Sequence, residues 1–88
     1  MRILLAEDEQ QLARVVMMAL AHEGYQVDLA KDGQQAVQLA QQTVYDLMIL
    51  DIMMPVKDGI EALKEIRASG HTNHVIMLTA MAEVDDRV

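Results

Sequence analysis

Three apolar runs of strand length each stop at a polar residue of a different chemical kind. Ile3-Leu4-Leu5-Ala6 runs into the acidic pair Glu7-Asp8, Leu47-Met48-Ile49-Leu50 into Asp51, and Val75-Ile76-Met77-Leu78 into Thr79. Runs this apolar suit strands covered on both faces, and helix-like stretches lie between them, which predicts an α/β domain with a parallel sheet. In such a sheet the carboxyl ends of the strands share one edge, where ligands bind. The sequence therefore predicts one site holding three carboxylates and a hydroxyl, a set suited to a hard divalent cation and a phosphoryl group.

The remaining segments fit this frame. Residues 2–6 read as a buried strand. Over residues 9–22, Leu12, Val15, Val16, Ala19 and Leu20 recur at helical spacing and define one expected inward face, with Gly24 as the stop. Residues 26–30 are more polar and suit an edge strand. Asp32-Gly33 reads as a turn into a helix over residues 34–42, with Ala36, Val37, Leu39 and Ala40 inward. Residues 46–50 form the most apolar strand, expected at the centre. Asp58 and Glu61 have capping-box spacing for a helix over 59–68, whose expected buried residues are Ile60, Leu63 and Ile66. Gly70 ends it, residues 75–78 form the fourth strand, and 82–88 read as the start of a fourth helix.

Composition excludes several functions. Eighty-eight residues make one domain, and 52% apolar residues are ample for a packed core. A formal charge of −7 argues against nucleic-acid binding by this segment, which needs clustered Lys and Arg. There is no cysteine, hence no disulfide framework or thiolate metal site, in keeping with a cytoplasmic location. No signal peptide is evident, and no apolar run approaches the ~18 residues of a membrane span, so no membrane partner is expected. His71 and His74 flank Thr72-Asn73 without acidic neighbours and do not suggest zinc. No Gly-rich loop follows the first strand, so a dinucleotide or P-loop reading fails.

The runs Leu4-Leu5-Ala6-Glu7-Asp8-Glu9, Leu50-Asp51-Ile52-Met53-Met54-Pro55, Asp58-Gly59 and Met77-Leu78-Thr79-Ala80 together resemble the receiver domain of bacterial two-component response regulators. The resemblance covers residues 1–88. The stretch Ala82-Glu83-Val84-Asp85-Asp86-Arg87-Val88 looks most like receivers joined to winged-helix DNA-binding domains, which would follow in a full-length parent. The resemblance implies a flavodoxin-like, doubly wound parallel sheet in the order 2-1-3-4, with the family's fifth strand and fifth helix absent. It implies phosphoryl transfer from a sensor histidine kinase to Asp51. Asp8 would ligate Mg²⁺ directly, Glu7 mostly through water, and Asp51 and the backbone carbonyl of Met53 would complete the protein ligands. Thr79 would be the switch hydroxyl, beside the small Ala80. Met53 and Met81 occupy positions that in the family flank the path of attacking water, and two apolar side chains there imply slow loss of the phosphoryl group.

One departure is large. The family's fifth strand, with its Lys-Pro pair and aromatic switch residue, has no counterpart, and neither Lys57 nor Lys64 sits at a strand end to replace that lysine. Loss of such a clamp is expected to impair transfer by roughly 10² to 10³ in rate, by analogy with loss of one transition-state donor. The domain is thus read as a receiver incomplete at its C-terminus. Its first helix would cover only part of one sheet face, and its fourth strand would be a bare edge. A homodimer, with exchange of elements as one route, or a chain that continues in its native form, is expected over a stable monomer.

Blander and competing readings stand beside this one. Glu7-Asp8 alone would suit a solvated helix N-terminus, and Thr79 alone a structural strand end. A receiver fold serving as a phosphorylation-independent interaction module keeps the acidic pocket as a vestige. An aspartyl-phosphate hydrolase of the dehalogenase type needs a second aspartate two residues after the nucleophile, where Met53 stands.

Overall fold

A computed structural model describes residues 1–78; Thr79, Ala80, Met81 and the expected fourth helix lie outside the described residues. The order is β1 (Arg2–Ala6), α1 (Gln10–His22), β2 (Gln26–Ala30), α2 (Gly33–Gln42), β3 (Leu47–Asp51), α3 (Gly59–Ala68) and β4 (His74–Leu78). The strands form one parallel sheet in the order β2-β1-β3-β4, so the polar β2 lies at an edge and the apolar β1 and β3 lie inside. Both are the placements expected from composition.

Because side chains alternate across a strand, the two faces divide the core. Leu4, Ala6, Met48 and Leu50 pack with Ala36, Val37, Ala40, Ala62 and Ile66 from α2 and α3. Ile3, Leu5 and Ile49 pack with Ala13 of α1, and Val16, Met17 and Leu20 complete that contact. The α1 face therefore differs from the expected stripe. Val16 and Leu20 pack inward as expected, but Leu12 and Val15, at 44% and 64%, and Ala19 are exposed, while Ala13 is buried. α1 is apolar on most sides, so two overlapping stripes satisfy the helical period, and the small Ala13 lets the helix approach the sheet. Likewise Ile60 on α3 is 42% exposed, and the small Gly59 and Ala62 lie inward with Ile66.

Caps fix the helix starts. Asp32 Oδ1 accepts from the Gln35 N–H at 2.8 Å, and Asp58 Oδ1 accepts from the Glu61 N–H at 2.8 Å, as the capping-box spacing requires. Gly24 and Gly70, both at positive φ, end α1 and α3. At the opposite end of the sheet from the acidic residues, Asp28 Oδ2 accepts from the Tyr45 hydroxyl at 2.7 Å and from Arg2 Nη2 at 3.1 Å. The Tyr45 hydroxyl and Arg2 both hold the Asp28 pKa below the usual carboxylate value, while burial and that carboxylate push the Tyr45 hydroxyl pKa up to about 12. No helix of the described residues is long and apolar enough to cross a membrane.

Candidate phosphoacceptor and cation site

The strand register builds the site. Leu5 pairs with Ile49 and Ala6 with Leu50, so one step further Glu7 stands beside Asp51. Both share the parity of Ile3, Leu5 and Ile49, which places their side chains on the α1 side of the sheet. One carboxylate oxygen each from Glu7, Asp8 and Asp51 lie within 4.8 Å of one another. Glu7 is 3% exposed and Asp51 8%, while Asp8 is open to solvent.

Glu9, not the acidic pair, caps α1. Its Oε1 accepts from the Leu12 N–H at 2.8 Å, which frees Glu7 and Asp8 from the helix-terminus role. Glu7 Oε2 accepts from the Glu9 N–H at 3.0 Å, but Glu7 Oε1 is buried without a hydrogen-bond partner among the described residues. Burial, opposed in part by that N–H, and the neighbouring Asp51 and Asp8 carboxylates raise the Glu7 pKa above its usual 4.5. A buried oxygen with no donor, facing two further carboxylates, is a place for a cation.

The β3–α3 loop, residues 52–58, walls the cleft. Glu7, Asp8, Asp51, Met53, Leu12 and Val16 all line it, with Leu78 at the β4 side. The Met53 N–H donates to Asp51 Oδ1 at 3.4 Å, and Met53 itself is 60% exposed. The loop is held at its base, where the Ile52 N–H donates to Leu78 O at 2.9 Å and the Gly59 N–H to Ile52 O at 2.9 Å. Gly59 is required there, because a Cβ would overlap the Asp51 carbonyl oxygen. At the loop's crown, Val56 has φ +71° and the Lys57 N–H donates to Pro55 O at 2.7 Å. That is a γ-turn in its strained form, with a β-branched residue at its centre. Lys57 forms an ion pair with Glu65 on α3, so it is directed away from the acidic cluster.

The expected residues Glu7, Asp8, Asp51 and Met53 thus meet in one cleft, and Thr79 follows the cleft residue Leu78 in sequence but is outside the described residues. Sequence reasoning did not single out Glu9 as the cap or Gly33 and Gly59 as points of close approach. The Asp58-Gly59 pair was the one signal available for the last of these.

Comparison with known proteins agrees with this geometry. The family model for the response regulator receiver domain matches residues 3–88. The transcriptional regulatory protein PcoR of Escherichia coli is 44% identical over 87 residues, and DltR of Streptococcus agalactiae is 41% identical over 88. The matches cover 99% and 100% of this chain but 38% and 39% of those proteins. Among solved structures, a receiver domain of a sensor histidine kinase from Pseudomonas aeruginosa, with magnesium coordinated in its active-site cleft, superposes with a TM-score of 0.89. It is 42% identical, covering 98% of this chain and 72% of that one. The response regulator TrrA of Thermotoga maritima, in complex with Mg²⁺ and BeF, gives a TM-score of 0.87 at 36% identity, covering 99% of this chain and 76% of that one.

Proposed function

The chain belongs to the response regulator receiver domain family, and on that premise we propose that it is the phosphoacceptor switch of a two-component system, with Asp51 as acceptor. A sensor histidine kinase presents a phosphohistidine; an Asp51 carboxylate oxygen forms a bond to phosphorus as the phosphorus–nitrogen bond breaks, and the departing imidazole takes up a proton. The observation that carries this reading is the cluster of Glu7, Asp8 and Asp51 around Glu7 Oε1, which has no hydrogen-bond partner among the described residues.

Glu7, Asp8, Asp51 and the Met53 carbonyl would hold Mg²⁺, the ion coordinated in the sensor-kinase receiver domain that this chain resembles. When bound, the ion neutralises charge on the phosphoryl oxygens and orients the group for in-line attack. Asp51 supplies the nucleophile at the end of a buried strand, held by the Met53 N–H. Glu7 supplies negative charge at a side chain that is 3% exposed and lines the cleft. Thr79 would contribute the switch hydroxyl.

The donor has to reach the cleft, so its docking surface must border it. Leu12 lines the cleft and, with Val15 and Met18, forms an exposed apolar stripe on α1. We assign this stripe to the kinase. The same stripe supports the second reading, a phosphorylation-independent interaction module. Transcription is the output suggested by the names of the curated relatives.

Intact mass after incubation with Mg²⁺ and a small acyl-phosphate donor decides between them. A single Mg²⁺-dependent phosphoryl adduct, absent in Asp51→Asn, is expected. No adduct on a folded chain would leave the interaction module as the function.

A further inference from the structure

We infer that Gly33, the first residue of α2, is a positioning residue for the site, because it seats the loop that carries Met53. The inference rests on the reading of the Met53 carbonyl as a cation ligand. A Cβ at Gly33 would overlap the Lys57 carbonyl oxygen and lie 2.7 Å from its carbonyl carbon and 2.9 Å from its Cβ. The first two are backbone atoms and cannot rotate away, so any side chain at position 33 displaces either α2 or the loop.

α2 is the less movable of the two. Its start is fixed by the Asp32 cap, by the Lys31 N–H donating to Gln35 Oε1 at 2.9 Å, and by burial of Ala36, Val37 and Ala40. Just before it, Ala30 O accepts from the Glu7 N–H at 3.0 Å, so the β2–α2 connection also touches the acidic end of β1. The loop packs Met54 against the core but has fewer hydrogen bonds to hold it. Its base is bonded to Leu78 and Gly59, but between Met53 and Lys57 the described bonds are the γ-turn and the weak Met53–Asp51 contact. A strained residue such as Val56 persists only where its surroundings over-determine it. The Lys57 backbone against Gly33, with the Lys57 side chain drawn to Glu65, provides that determination. Gly33 thereby fixes where the Met53 carbonyl stands relative to Glu7, Asp8 and Asp51.

The test is Mg²⁺ affinity by titration calorimetry, well below the melting temperature, on the wild type, Gly33→Ala and Ala36→Gly. Ala36→Gly loosens the same helix and keeps Gly33 in place. Gly33→Ala is expected to weaken Mg²⁺ about tenfold, the scale of losing a residue that orients a ligand. Ala36→Gly is expected to lower the melting temperature and leave the affinity unchanged. Wild-type affinity in Gly33→Ala, or equal loss in both variants, would overturn the inference. If the wild type binds no Mg²⁺, the ligand reading fails instead, and amide shifts of metal-free Gly33→Ala then judge Gly33 alone. Shifts centred on residues 53–57 support it, and shifts confined to α2 refute it. Should Gly33→Ala not fold, wild-type hydrogen exchange decides. The Lys57 amide is expected to open together with the first-turn amides of α2, and independent opening would refute the contact.

Discussion

Glu7 and Asp51 stand side by side at the ends of two neighbouring buried strands, one register step beyond the paired Ala6 and Leu50. Neither can turn to solvent without breaking that register, because each is more than nine-tenths buried. The sheet thus forces two carboxylates together that would separate if free, and the open Asp8 joins them.

Glu7→Gln is expected to stabilise the metal-free protein by about 1–2 kcal/mol, since it removes a buried charge with an unsatisfied oxygen. The pH dependence carries the same sign. The folded-state pKa of Glu7 lies above 4.5, so the folded protein binds its proton more tightly than the unfolded chain does. The resulting stability is full below about pH 4.5 and is lost as pH rises through the raised value. Melts of metal-free wild type and Glu7→Gln between pH 4 and 8 should therefore diverge with rising pH. Adding Mg²⁺ at about 100 times its Kd should return roughly 2.7 kcal/mol to the wild type and much less to the variant.

Met53→Asn is expected to shorten the lifetime of phospho-Asp51 severalfold. Met53 lines the cleft beside Asp51, and its exposed thioether offers no strong hydrogen bond to a water approaching phosphorus. An amide there provides both donor and acceptor. Loss of the adduct mass with time after removal of donor measures the rate, and an unchanged rate would discard this role.

The parts of the molecule legible in the sequence were those set by strongly apolar runs and by short polar punctuation. β1 and β3 announce themselves because strands buried on both faces need uninterrupted apolar residues, β4 through a similar apolar run although Ile76 is 49% exposed, and Asp32 and Asp58 mark helix starts through local bonds. The inward face of α1 was legible only in part, at Val16 and Leu20, because Leu12, Ala13, Val15, Val16, Met17 and Met18 leave only a narrow polar side, Gln10, Gln11 and Arg14, to choose against. Only the approach of the sheet selects Ala13. Gly33 escaped for the same reason: its partner Lys57 is 24 residues away in sequence, and nothing local signals the contact. The acidic cluster was legible because Glu7 and Asp51 directly follow apolar runs and Asp8 is the next residue after Glu7.

Tyr45→Phe is expected to cost about 1–2 kcal/mol, since Tyr45 is buried and its hydroxyl donates to Asp28 at 2.7 Å. The wild type should also lose this contribution on the alkaline side. The Tyr45 pKa is raised from 10 to about 12 in the folded protein, so the stabilisation is complete below pH 10 and disappears as pH rises towards 12. Urea titrations at pH 8 and pH 11 should show a wild-type advantage that shrinks at the higher pH. The site lies at the other end of the sheet, so phosphorylation of Asp51 should be unaffected below the melting temperature.

Val56→Gly is expected to stabilise the protein by about 1 kcal/mol. A β-branched residue at φ +71° stores on the order of 1–3 kcal/mol of strain, whereas glycine adopts that conformation freely and gives back about 0.5–1 kcal/mol in unfolded-state entropy. Val56 is 80% exposed, so little burial is lost with its side chain. The gain should come with a functional cost if the γ-turn helps to hold the Met53 carbonyl in place: a looser loop binds Mg²⁺ more weakly even as the fold gains stability. Urea melts and Mg²⁺ titration of the same variant separate these effects. A fall in stability would show that the Val56 conformation is unstrained, and unchanged Mg²⁺ affinity would show that the γ-turn is not needed to seat the loop.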